Sequence, residues 1–154
     1  MPGTIMKPKQ APAVRHGGDN YLLDVQIGYM LRQAHQRHTT IFASLMVDEL
    51  TPTQWAALAK LKEIGPSSQN LLGRQTAMDA ATIKGVIDRL TKRGFTKTKP
   101  DPADGRRLLV ALTERGAALY ERGKPIAARI TIQTLEPLTE RERAELLTLL
   151  AKLA

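Results

Sequence analysis

From Asp79 to Thr113 the chain reads DAATIKGVIDRLTKRGFTKTKPDPADGRRLLVALT, and this stretch constrains the fold more than any other. Asp79 can cap a helix whose apolar residues Ile83, Val86, Ile87 and Leu90 recur at spacings of three and four. That stripe faces inward and leaves Ala80, Ala81, Thr82, Lys84, Gly85, Asp88 and Lys92 outward, and Gly94 ends the helix. Phe95 to Lys99 alternates and is rich in Thr, as a strand is. Pro100 to Gly105 is a turn, with Arg106 and Arg107 at its tip, and Leu108 to Leu112 is the return strand. A short helix that fits a duplex groove is thus followed at once by a hairpin with a cationic tip. One element can read base edges while the other grips the backbone or the minor groove.

The charge is placed to match. The formal net charge is +8, and residues 69–107 hold nine Lys/Arg against four Asp, so +5 of it falls in about a quarter of the chain. An anionic partner is expected, double-stranded DNA first. The absence of cysteine excludes disulfides, thiolate catalysis and Cys-based zinc sites. No apolar run approaches the roughly 18 to 20 residues of a membrane span, and the N-terminus lacks the apolar region of a secretory signal. A cytoplasmic protein without membrane contact is expected. There is no Gly-rich phosphate loop and no nucleophile elbow, and the carboxylates fall on helix surfaces or in the hairpin. No enzyme and no cofactor are expected.

Around the central segment the chain is mainly helical. Residues 1–19, with Pro2, Pro8, Pro12, Gly17 and Gly18 among Lys7, Lys9 and Arg15, are expected to be a flexible basic arm. From Tyr21 to about Met46, Leu23, Ile27, Met30, Leu31, Ala34, His38, Ile41 and Leu45 form a helical stripe. Thr51-Pro52-Thr53-Gln54 predicts a capping box opening a second helix, which Gly65-Pro66 stops. A short helix over about Ser68–Gln75 precedes the Asp79 helix. Thr113 caps a helix to about Leu135, which Gly123-Lys124-Pro125 should bend. Thr139 with Glu142 opens a last helix carrying Leu146, Leu147, Leu150 and Leu153 on one stripe. The fold class is mainly α with a small β-hairpin wing, a winged helix-turn-helix lobe.

These residues resemble the MarR family of regulators. The matching pieces are Leu50-Thr51-Pro52-Thr53-Gln54-Trp55, Ala81-Thr82-Ile83, Asp88-Arg89-Leu90, Arg93-Gly94-Phe95, the wing Asp101-Pro102-Ala103-Asp104-Gly105-Arg106-Arg107, and Leu112-Thr113 with Gly116. The resemblance covers residues 20–154 as one MarR-type domain. It implies a homodimer, with dimerisation helices at 21–46 and 113–154 and a DNA-binding lobe at 50–113, reading a palindromic operator and most often repressing. It also implies that Asp104 and Arg106 brace the wing. The chain departs from the pattern at Gly105, where the family often has an arginine, so minor-groove contact would pass to Arg107.

Base-edge contact is expected from Ala80, Ala81, Thr82 and Lys84, and phosphate contact from Gln69, Asn70, Thr76, Lys97 and Arg107, with Arg106 at the wing tip. For a small-molecule effector, Tyr29, Arg32, His35 and His38 share the region of one helix face. Cations with apolar walls suit a small aromatic carboxylate. The resemblance places Trp55 in the same region. The competing reading makes His38 a hydrogen-bonded interface residue and Arg32 a solvated charge. A zinc site at His35 and His38 with Asp48 or Glu49 has too few imidazoles to be favoured, so no metal is expected. Two other functions compete: an architectural or activating DNA-binding protein without ligand control, and a helical protein–protein interaction module.

Overall fold

The computed structural model describes residues 21–154; the basic arm expected at the N-terminus lies outside them. The elements run in the order α1 (Ile27–Leu45), α2 (Pro52–Ile64), α3 (Gln69–Gln75), α4 (Ala80–Lys92), β1 (Thr96–Pro100), β2 (Leu108–Leu112), α5 (Glu114–Thr134) and α6 (Glu140–Ala151). The chain divides into a unit ending at Arg37 and a unit His38–Ala154.

The first unit corrects one expectation. The stripe beginning at Tyr21 is not one helix: a 3-10 turn spans Leu23–Val25, Gln26 is extended (φ −82, ψ 130), and α1 starts only at Ile27. The reason is local competition. The Gln26 side-chain amide donates to the Leu22 carbonyl at 3.1 Å, which a continuous helix would give to the Gln26 backbone N–H. That N–H bonds Leu23 O instead, at 2.9 Å.

In the second unit, a core of Phe42, Leu58, Leu61, Leu72, Leu90 and Leu119 with neighbouring apolar residues joins the helices to the hairpin. Local chemistry sets the helix ends. Thr51 and Gln54 form the expected capping box with Pro52 in the first turn, and Gly65 (φ 78) closes α2. Ser68 caps α3. The end of α4 is a Schellman motif: Phe95 N–H reaches Leu90 O and Gly94 N–H reaches Thr91 O, both at 2.9 Å, with Gly94 at φ 79. Thr139 and Glu142 form the second capping box, opening α6. Pro125 lies inside α5 without ending it.

The hairpin is antiparallel, Thr96 pairing with Leu112 and Pro100 with Leu108. Ser67 and Val110 exchange both backbone hydrogen bonds, 3.0 and 2.8 Å, so the residue preceding the α3 cap is tied to the wing as a one-residue third strand. Between α1 and α2, Asp48 (φ 52) and Glu49 (φ 51) take left-handed backbone conformations, which L residues seldom adopt. Arg93 donates to the Asp48 carbonyl and Arg122 to its carboxylate, each at 2.6 Å, so the C-cap of α4 and helix α5 both hold this turn.

Candidate nucleic-acid interface

Helix α4 has the two-faced form its sequence predicts. Ile83, Val86, Ile87 and Leu90 are buried, whereas Ala80, Ala81, Thr82 and Lys84 are exposed. At its start the Asp79 carboxylate accepts the Thr82 backbone N–H at 2.7 Å. This bond, with a second from the Thr82 side chain, holds the Asp79 carboxyl below the usual carboxylate range. Lys84 is paired with Asp88 at 2.7 Å on the exposed face, so contact with a base would exchange one partner for another. An exposed i,i+4 pair is a small barrier to that exchange, about 0.3–0.5 kcal/mol.

The lowered Asp79 pKa has a sign. A carboxylate stabilised in the fold contributes above its unfolded pKa and loses that contribution as pH falls through the folded value. The start of α4 should therefore weaken only below about pH 4. Asp79→Asn should keep the cap and remove this acid limb, as seen by acid titration of helix content in the two proteins.

The expected phosphate contacts divide. Gln69, Asn70 and Arg107 line one cleft between α3 and the wing. Lys97 is exposed on β1. The Thr76 hydroxyl donates to Leu72 O at 2.7 Å and closes α3, so its proton is already engaged. The wing brace acts through backbone: the Asp104 carboxylate accepts the Arg106 N–H at 3.1 Å, and Asp104 O accepts the Arg107 N–H at 2.9 Å. Among the described residues Arg106 and Asp104 make no side-chain ion pair. Ser68 and Arg74, not among the expected contacts, line the same cleft. Arg74 had a legible signal, since it lies one helical turn after Asn70.

The candidate effector residues fall on both units. On the first unit, Tyr29 is half-buried and Arg32 and His35 are exposed. On the second, His38 Nδ1 lies 3.0 Å from Thr134 Oγ1. The Thr134 hydroxyl also lies 2.8 Å from Ile130 O, its i−4 carbonyl on α5. Trp55 stacks on Tyr120, with centroids 5.3 Å apart and planes 9° from parallel. Gly123 explains this placement: a Cβ there would lie 2.5 Å from the indole. Gly123, part of the expected bend, thus also makes room for a ring. Gly123→Ala should displace Trp55 and lower stability by about 1–3 kcal/mol. Because Trp55 is the only tryptophan, its emission reads the change directly.

The MarR family model matches residues 50–108, the span from the residue before the α2 cap to the first residue of β2. The HTH-type transcriptional repressor NicR of Pseudomonas putida is 42% identical over 149 residues, 95% of this chain and 91% of that protein. This chain belongs to the MarR family. Solved structures agree. A probable transcriptional regulator from Pseudomonas aeruginosa is 55% identical with a TM-score of 0.84, over 86% of this chain and 100% of that one. Bordetella bronchiseptica BpsR, described with regulation of its DNA binding by 6-hydroxynicotinic acid, is 39% identical with a TM-score of 0.83, over 88% and 97%. The fold is that of the winged-helix regulators among these structures, with the β1–β2 hairpin as the wing. The family and the relatives are transcription regulators, not enzymes. No helix among the described residues is long and apolar enough to cross a membrane.

Proposed function

We propose that this chain is a homodimeric repressor, acting in the cytoplasm, that leaves a palindromic operator when a small aromatic acid binds it. The carrying observation is the pairing of an exposed α4 face of small residues and one lysine with a cationic wing tied to the start of α3. Ala80, Ala81, Thr82 and Lys84 are assigned to base edges. Gln69, Asn70, Lys97 and Arg107 are assigned to phosphate, and the wing tip, Arg106 with Arg107, to the minor groove; Thr76 acts through its helix-closing bond. Residues 21–46 and 113–154 are assigned to dimerisation, residues 50–113 to DNA. The relationship to NicR supports repression, and that to BpsR supports an acidic, hydroxylated aromatic ring as effector.

An acid that binds better to the DNA-free arrangement lowers operator affinity by the ratio of its two affinities. Arg32 on α1 supplies a cation for the carboxylate, and His35 on the same helix a ring nitrogen to hydrogen-bond it. Tyr29, His38 and Trp55 are the further candidates, each replaced in turn and read by the same assay. The test is fluorescence anisotropy on the DNA upstream of the gene at about 150 mM salt, with scrambled duplex as control and 6-hydroxynicotinic acid among the added acids. Specific binding should exceed scrambled by about 10³-fold or more and fall as the acid is added. Specific binding that no acid moves would leave an architectural or activating protein. Equal binding to both duplexes would remove the repressor reading.

The glycine in the wing gives a further prediction. A Cβ at Gly105 meets nothing within 4 Å, so a side chain fits there. Gly105→Arg should tighten binding to operator and scrambled DNA alike. It should also steepen the dependence of log affinity on log salt by about 0.9 per protomer, one released counterion per added phosphate contact. An unchanged salt slope would show that the tip lies away from the backbone.

A further inference from the structure

Ser68, Gln69, Asn70, Arg74, Arg107 and Leu108 surround one open cleft of about 370 Å³ between α3 and the wing. Two of its six lining residues are arginines, from elements separated by the whole of α4 and β1. Neither guanidinium has an ion pair or side-chain hydrogen bond among the described residues, whereas Arg93 and Arg122 are both held by Asp48 and Lys84 by Asp88. The remaining polar groups fit an anion. Ser68 Oγ accepts the Leu71 N–H at 3.2 Å, which leaves its own proton to donate, and Gln69 and Asn70 offer amide donors. The Ser67–Val110 bridge fixes the two walls to each other, so the spacing is preset.

We infer that Arg74 and Arg107 grip one and the same phosphate of the DNA backbone in each half-site. The inference rests on the DNA-binding reading above and sharpens it. At about 30 Å³ per water the cleft has room for a phosphodiester group and bridging waters. A guanidinium fork matches a phosphate's oxygens, and two forks from walls held at fixed spacing match one phosphate from two sides. The wing arginines then divide their work. Arg107 turns to the α3 side and takes backbone, and Arg106, outside the cleft, is the one left to enter the minor groove. Phosphate contact here sets register: it fixes how far α4 sits from the base edges while carrying no sequence information.

The test uses the full-length protein and a duplex carrying the operator mapped by footprinting upstream of the gene. Arg74→Gln, Arg107→Gln and the double variant are titrated by anisotropy across a salt series, on operator and on scrambled duplex. Each single change should weaken both duplexes by roughly tenfold. The double variant should be little worse than either, with the salt slope falling by about 0.9 per protomer in total. A series of duplexes, each with one neutral methylphosphonate linkage, should contain one linkage per half-site at which both substitutions become silent. Two different silent linkages would overturn the shared grip, as would multiplied penalties with a slope loss of about 1.8 per protomer. Undiminished binding by the variants would also overturn it. Wild-type protein that shows no operator preference would overturn the regulator reading and this inference together. Both arginines are exposed, so unchanged thermal midpoints separate a lost contact from a lost fold.

Discussion

Gly116→Ala is expected to destabilise the protein by about 3 kcal/mol and lower its thermal midpoint by roughly 6–12 °C. A Cβ at this position would collide with the Phe95 carbonyl oxygen. The obstacle is backbone, and that backbone has no slack. Phe95 O accepts the Thr113 N–H at 3.1 Å, the Thr113 hydroxyl donates to Gly94 O at 2.7 Å, and Gly116 N–H bonds Thr113 Oγ1 at 3.0 Å. Gly94 is itself the left-handed residue that ends α4. A methyl group at 116 must therefore lift the start of α5 off the junction where the reading helix passes into the wing. DNA affinity should fall along with stability. Gly28→Ala is the control: a Cβ there meets nothing, and within α1 the change should stabilise by up to about 1 kcal/mol. Thermal unfolding followed by circular dichroism checks both. A Gly116→Ala midpoint equal to wild type would show that α5 can retreat from Phe95 without loss.

Gly116 also marks the boundary of what sequence discloses. Its place in a family motif was readable, but the collision that requires glycine was not, because it depends on how two elements approach. Features closed within a few residues were legible: the buried stripe of α4, the caps at Thr51, Asp79, Thr113 and Thr139, and the span Leu108–Leu112 of the return strand. In the caps the donors and acceptors lie three positions apart, and in the stripe the apolar residues recur every three or four, so spacing alone specifies them. The break at Gln26 defeated the same logic. An apolar stripe continues through it, yet the Gln26 side-chain amide takes the Leu22 carbonyl and α1 starts only at Ile27. The left-handed turn at Asp48 and Glu49 has no glycine to announce it, and its two arginine bonds reach 45 and 74 positions along the chain. In the candidate site, the outward residues of α4 followed from periodicity. The convergence of Arg74 with Arg107 did not, because it requires the bridge from Ser67 to Val110.

Replacing Leu147 and Leu150 together by glutamate is expected to convert the protein to a monomer and weaken operator binding by about 10²-fold or more. Helix α6 is 12 residues long and none of them is buried in the single chain. A helix that short is marginal in water even with a good cap, so its stability must come from covering an apolar face. Leu147 is 55% exposed, Leu150 39% and Leu153 73%, and Ile132 near the end of α5 is 61% exposed. Exposed apolar residues gathered at one end of a chain mark an interaction surface. A second copy is the occupant that the proposed palindromic operator calls for, since a two-fold dimer presents two reading helices to two half-sites. Two carboxylates placed in that face would be buried without partners, a penalty the interface cannot absorb. The operator would then be bound one half-site at a time, and the gain from tethering, about 10²–10⁴-fold, would disappear. Sedimentation velocity measures the first consequence and anisotropy the second. An isolated half-site should be bound about equally by wild type and variant, which separates loss of dimer from damage to the lobe. Glu145→Ala, on the opposite side of α6, should leave both readouts unchanged. A double variant that still sediments as a dimer would place the interface elsewhere and leave the α6 leucines to another partner.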